Sequence, residues 1–299
     1  MKLSIICLVL VSMSLSTSQA LYPVGERVVM IRIDDIQDYG MPSPYAEPEK
    51  TLLQYHLTKR IPALLSVIAS RFGNDPQLTD QMREGLNQGI FTVGIHGWRH
   101  EPFTNLTLNA QISEMQRGKN RLEAIFGTEI LCFIPPYNRF NQDTIEALKE
   151  NGLTVMSSAT YEGDIPRKED GILFIPQTVT TAEVIPDTDA WRQRPLKSIT
   201  EQIEDSWISY GVAVIVLHPR QFVGSDQEDR WNTYIEVLEW IQSNHGRIVR
   251  PEPPTYVKPY RFDSLLLSVG IFGGLTSALI IAFNVSSRRK NEKSQVVAE

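Results

Sequence analysis

Short apolar runs alternate with amphipathic stretches along most of this chain. The apolar runs predict strands at 28–34, 61–68, 90–95, 130–134, 153–158, 171–175 and 211–217, with a short one at 247–249. Between them, apolar positions at helical spacing predict helices at 48–58, 76–88, 108–126, 141–151, 198–209 and 228–243. Pro76 suits a first helical turn, and Asn141 and Ser198 suit helix starts. Gly89, Gly127 and Gly152 fall just past helix ends, where a left-handed cap is wanted. Strand and helix in alternation imply α/β architecture: a parallel sheet closed or nearly closed into a barrel. Residues 159–197 break the rhythm and read as an excursion over the barrel mouth.

The two ends follow other patterns. Lys2, an apolar run from Ile5 to Leu10 and small residues up to Ala20 predict a secretory signal peptide over 1–20. Leu265 to Phe283 carries no charge. At ~1.5 Å per residue it spans a hydrocarbon core of about 30 Å. Arg288, Arg289, Lys290 and Lys293 follow, so a cytoplasmic tail over 284–299 and an extracytoplasmic domain are expected. Four prolines between Pro251 and Pro259 give a semi-rigid spacer over 251–264. This leaves residues 21–250 as the folded domain of a single-pass cell-membrane protein.

Charge removes one class of partner. The whole chain carries a net charge of −6, and the portion before the basic tail is more acidic still, so nucleic acid is not an expected ligand. Of the two cysteines, Cys7 lies in the signal segment. Cys132 is then alone in an apolar run and reads as a small core residue.

Candidate chemistry gathers where the apolar runs end. Asp34-Asp35 follows the first run, and His96 and His100 follow the third. Pro135-Pro136-Tyr137-Asn138 follows the fourth, and Leu217-His218 closes the seventh. In α/β barrels catalytic groups collect at the carboxyl ends of strands, so these separate positions converge. Two imidazoles and a carboxylate form a facial set that leaves positions open for water and substrate, as catalytic zinc sites do.

In this order, Asp-Asp, His-x-x-x-His, Pro-Pro-Tyr and Leu-His resemble the polysaccharide deacetylases, carbohydrate esterase family 4, over about residues 26–250. The resemblance implies the NodB-homology fold, a distorted parallel (β/α)7-type barrel. It implies removal of N-acetyl, less often O-acetyl, groups from glycans with a divalent metal, commonly Zn2+. It also implies roles. Asp35, His96 and His100 match the metal ligands, Asp34 the general base and His218 the general acid. Leu217 matches the apolar residue that cradles the acetyl methyl, and Tyr137 lies in the motif whose backbone N–H holds the oxyanion. The chain departs from the family pattern at three points. Ile36 stands in place of Gly. Ile134 stands where an Arg usually orients the catalytic Asp, with Arg139 or Arg32 available to supply the charge. The fourth motif has only Trp191, with Asp187 or Asp189, as a counterpart. Two expectations follow: a membrane-anchored deacetylase of an N-acetylated surface glycan, or a glycan-binding, envelope-organising protein that has lost turnover. An amide or imide hydrolase with another substrate also fits the fold.

Overall fold

A computed structural model describes residues 21–23, 25–38, 48–185, 191–224 and 226–252. The signal segment 1–20, the membrane span 265–283, the tail 284–299, most of the spacer, and Asp187 and Asp189 lie outside the described residues. Among the described residues no helix is long and apolar enough to cross a membrane.

The predicted alternation appears nearly element for element. In chain order the elements are β1 (Val28–Ile36), α1 (Pro48–Lys59), β2 (Ala63–Val67), α2 (Pro76–Asn87), β3 (Phe91–Ile95) and α3 (Leu108–Phe126). There follow β4 (Cys132–Phe133), α4 (Gln142–Glu150), β5 (Val155–Met156), β6 (Arg167–Glu169), β7 (Ile172–Phe174) and β8 (Val179–Thr180). The last are β9 (Ala182–Val184), β10 (Trp191–Gln193), α5 (Leu196–Tyr210), β11 (Val212–Leu217), α6 (Gln227–Ser243) and β12 (Arg247–Val249). Local chemistry explains the ends. The Asp75 carboxylate accepts from the Leu78 N–H at 3.1 Å to start α2. Asn141 and Thr144 form a reciprocal capping box on α4. Gly127 closes α3 at φ 67, a conformation other residues adopt at a cost. The fifth helix starts earlier than expected, at Leu196 behind Pro195, so Ser198 is not its cap.

The sheet runs β6-β7-β5-β4-β3-β2-β1-β11-β8, with β12 also paired to β1. All pairings except β6 with β7 are parallel. The expected barrel is therefore a curled parallel sheet whose ordered ladder stays open between β6 and β8, not a closed cylinder. The 159–197 excursion holds short strands, including the separate antiparallel hairpin β9–β10.

Two apolar layers result from the period-two alternation of strands. Val29, Ile31 and Ile33 join the large cluster with the helices. Val28 and Met30 instead meet Leu64, Cys132, Ile134, Val155, Ile175, Val212 and Val214 in a second cluster inside the curl. Arg32 and Asp34 continue this inner series along β1. Cys132 is buried there as expected, and burial pushes its thiol up to about 12. The third helix lies close to the strand that leads into His96. A Cβ on Gly118 would stand 2.7 Å from Ile95 Cγ2.

Candidate metal and acid–base site

Two backbone irregularities build the site. Between Ile33 and Ile36, β1 advances three residues while β2 advances only from Leu65 to Val67, so one extra residue bulges from the ladder. Asp35 takes φ 60 within that bulge. A regular strand would point Asp34 and Asp35 to opposite faces. The bulge lets both carboxylates act on the same neighbours, His96 and His218. The second irregularity follows β3. Gly97 at φ 70 and His100 at φ 67 fold the loop back until the His96 and His100 rings lie 4.7 Å apart. Gly97 O and Trp98 O accept from Ala69 N and Ser70 N, which pins the loop.

Asp35 Oδ1 sits 3.3 Å from His96 Nε2 and 3.2 Å from His100 Nε2. Yet this buried oxygen has no hydrogen bond of acceptable geometry. One ligand atom from each of the three residues lies within 4.8 Å of the others. A tetrahedral ion with bonds of about 2.0–2.1 Å sets its ligands about 3.3 Å apart, so the donor set fits a divalent metal. The tautomer fits too. His96 Nδ1 lies 2.9 Å from the Ile134 carbonyl, which can only accept. Nδ1 therefore carries the proton, and Nε2 offers its lone pair.

The electrostatics favour positive charge here. Burial alone would raise the Asp35 carboxyl, but His100 and His96 outweigh it and hold the carboxyl well below the usual carboxylate range. Burial alone would lower His96, and Asp35 with Asp34 reverses this and raises it. Carboxylates that favour a proton at this point favour a metal cation equally.

Asp34 is held from below. The Arg32 guanidinium, 1% exposed, donates to Asp34 Oδ2 at 2.7 Å. The same group donates to Ser157 O and Oγ, Ser158 O and Asn138 Oδ1 at 2.8–2.9 Å. Asp34 Oδ1 is buried without a partner, so one oxygen is fixed and the other is free to take a proton. Ile134, which stands where the family pattern has an arginine, is fully buried in the inner cluster. Arg139 is exposed and Arg32 makes the contact. The sequence carried this signal: one arginine in an apolar strand, two residues before Asp34 and so on the same face.

The remaining candidates divide. His218, partly exposed at the end of β11, lies 4.6 Å from the Trp191 ring, tilted 34° to it. Burial lowers it, against Asp34 and Asp35, which act to raise it; the net direction is down. Tyr137, at φ 58 and 54% exposed, lies 4.7 Å from the His100 ring. Leu217 is not brought to this surface: it is 0% exposed and packs with the outer, helix-facing cluster. Asn138 was read only as part of the Pro-Pro-Tyr motif, and Ser157, Ser158 and Tyr161 escaped sequence reasoning, because lone polar residues at a strand end or in a loop carry no periodic signal.

A curled parallel sheet with a His₂Asp cluster at its carboxyl edge defines an α/β protein with a candidate metal site, of the kind seen in hydrolases. Comparison with known proteins narrows the class. The family model described as polysaccharide deacetylase matches residues 22–156, which include Asp34, Asp35, His96, His100 and Tyr137. The Bacillus subtilis (strain 168) protein YxkH, provisionally named a polysaccharide deacetylase, is 28% identical over 129 residues. That match spans 43% of this chain and 43% of YxkH, less than half of either. A solved structure from Mycobacterium smegmatis, provisionally named a polysaccharide deacetylase, superposes with a TM-score of 0.55. It is 15% identical and covers 77% of this chain and 96% of its own. A peptidoglycan N-acetylglucosamine deacetylase solved with a hydroxamate-type benzamide gives 0.54 at 15% identity, covering 79% and 92%. The family model matches less than half of the chain, and these structures, at 15% identity, show the fold alone: a NodB-like α/β half-barrel.

Proposed function

We propose that this chain is a metal-dependent hydrolase that removes acetyl groups, N-acetyl foremost, from a cell-surface or extracellular polysaccharide. The observation that carries this reading is the convergence of Asp35, His96 and His100 beside a carboxylate, Asp34, that has one fixed and one free oxygen. When bound by Asp35, His96 and His100, a divalent ion, Zn2+ by the donor set, would polarise the acetyl carbonyl and acidify a water. Asp34 Oδ1, which has no hydrogen-bond partner, takes the proton of the attacking water. The water oxygen bonds to the acetyl carbon, and the carbon–nitrogen bond then breaks. His218 hands a proton to the departing nitrogen, which yields acetate and a free amine. The backbone N–H of Tyr137 supplies the oxyanion contact, its left-handed conformation turning the peptide out of the regular path.

The reading extends to location. A signal peptide over 1–20, a catalytic domain over 21–250, a spacer to 264, a span over 265–283 and a basic tail make a single-pass cell-membrane enzyme with its domain outside. Support comes from the apolar and charged pattern of those segments.

Acetate release from a panel of acetylated glycans by the full-length protein, with and without chelator, tests the activity. Release that stops with chelator and returns with zinc is expected. Binding of a glycan with no release from any member would instead favour an envelope-organising protein on the same fold.

A further inference from the structure

Tyr161 is an aromatic side chain with no packing reason to be where it is. It is 68% exposed, on the short turn Thr160–Glu162 beyond β5. The turn itself is fixed: Thr160 N donates to Gln177 O at 3.0 Å, and Glu162 N to Ala159 O at 3.1 Å. The phenol is fixed as well, since Asn138 Nδ2 donates to its oxygen at 2.7 Å.

Asn138 can hold Tyr161 only one way round. Its Oδ1 accepts from the Arg32 guanidinium at 2.8 Å, and a guanidinium has no acceptor to offer the amide nitrogen. The oxygen must face Arg32, so the NH₂ must face outward to Tyr161. The Tyr161 oxygen is then an acceptor towards Asn138, and its own proton remains free for an outside group. One buried arginine thus anchors both Asp34 and, through Asn138, an exposed tyrosine at the mouth.

We infer that Tyr161 binds the sugar unit next to the one being deacetylated, ring against ring, with its hydroxyl donating to a sugar oxygen. This rests on the deacetylase reading for the identity of the reacting unit, not for the binding itself. A pyranose offers an apolar C–H face rimmed by oxygens, the counterpart of an exposed phenol with a flat face and one free donor. Tyr137 leans on His100 at the candidate metal site itself. Tyr161 is reached from the neighbouring Asn138 and stands further out.

The test uses the full-length protein, with chitotetraose and monomeric N-acetylglucosamine as binding probes and p-nitrophenyl acetate as a small substrate. Calorimetric binding is measured beside acetate release. Tyr161→Ala should weaken tetramer binding and raise its KM about tenfold, the scale of one aromatic stack. Its kcat, its affinity for the monomer and its rate on p-nitrophenyl acetate should stay within about twofold. Tyr161→Phe keeps the ring and loses the donor, and should fall between. Tetramer binding equal to the parent's, or a matching loss on p-nitrophenyl acetate, overturns the inference; so does a parent that binds no tetramer. A parent that binds the tetramer without releasing acetate, and loses that binding in Tyr161→Ala, keeps the inference and removes the deacetylase reading.

Discussion

Arg32 and Asp34 sit two residues apart on one strand, and the 2.7 Å contact between them joins the inner core to the mouth of the sheet. Most of the donors on that arginine are used, and no other cation reaches Asp34 among the described hydrogen bonds and ion pairs. Arg32→Met should therefore strand a buried carboxylate. Loss of one member of a buried pair costs about 3–5 kcal/mol, which denaturant melts would show. Where the variant is folded, acetate release should fall by about 10² or more with metal content unchanged. Wild-type turnover in Arg32→Met would refute the role of the pair.

Residue 134 should respond in the opposite sense to a simple reading of its motif. Ile134 is fully buried among apolar neighbours, and its Cδ1 fills the space beside Gly94. Ile134→Arg would bury a second cation where Asp34 already has one. We expect a loss of several kcal/mol in stability and no gain in acetate release. A more active Ile134→Arg protein would show that Arg32 is not sufficient.

The ligand set predicts metal content. Elemental analysis of the purified parent should find one divalent ion, and His100→Ala should lose it at micromolar concentrations. Zinc at about a hundred times its Kd should stabilise the parent by about 2.7 kcal/mol and leave His100→Ala unmoved. Equal metal in both proteins would disprove the assignment.

Base and acid should separate from ligation. Asp34→Asn keeps the shape and the contact with Arg32 but not the basicity. Metal should stay bound while acetate release falls by about 10²–10⁴. His218→Ala should do the same, more severely on amides than on activated esters, whose leaving groups need less protonation. Parent-like rates in both variants would exclude these roles.

A buried histidine far from this chemistry sets an acid limit. His56 Nδ1 lies 3.0 Å from the Ile61 carbonyl and must donate to it, so Nε2 accepts from the Tyr234 hydroxyl at 2.7 Å. Burial, against the Ile61 contact, holds His56 down at about 4. The folded protein thus binds fewer protons than the unfolded chain between about pH 4 and 6.5. The stability tied to neutral His56 is complete above about pH 6.5 and is lost as pH falls towards 4, by about 3 kcal/mol. In urea melts at pH 7 and 4.5, His56→Gln should lose less on acidification than the parent. An identical loss in both would place the acid sensitivity elsewhere.

Much of the fold was legible because its signals are local. The inner and outer faces of β1 follow from alternation, and the caps at Asn141 and Gly127 follow from side-chain size and hydrogen bonding. Asp35, His96 and His100 come together for another reason: parallel strands collect their ends. The failures have physical causes as well. Leu217, matched by the resemblance to the residue that cradles the acetyl methyl, obeys strand alternation and packs in the helix-facing cluster. Arg32 was visible only as one of two candidates, because its partners Ser157, Ser158 and Asn138 come from more than a hundred residues away. Tyr161 gave no signal, since an exposed aromatic in a loop looks the same whether tethered or free.

The bulge in β1 also decides which genetic changes the site can absorb. Two adjacent carboxylates share one set of neighbours only because an unpaired residue stands between Ile33 and Ile36. Only Asp34 and Asp35 lie between Ile33 and Ile36, so a deletion that restored an even ladder would take one carboxylate with it and re-aim the other. Point changes around Asp34 and Asp35 alter chemistry by degrees; a change of chain length there alters it all at once. Drift in this segment is therefore confined to letters, while its spacing is frozen.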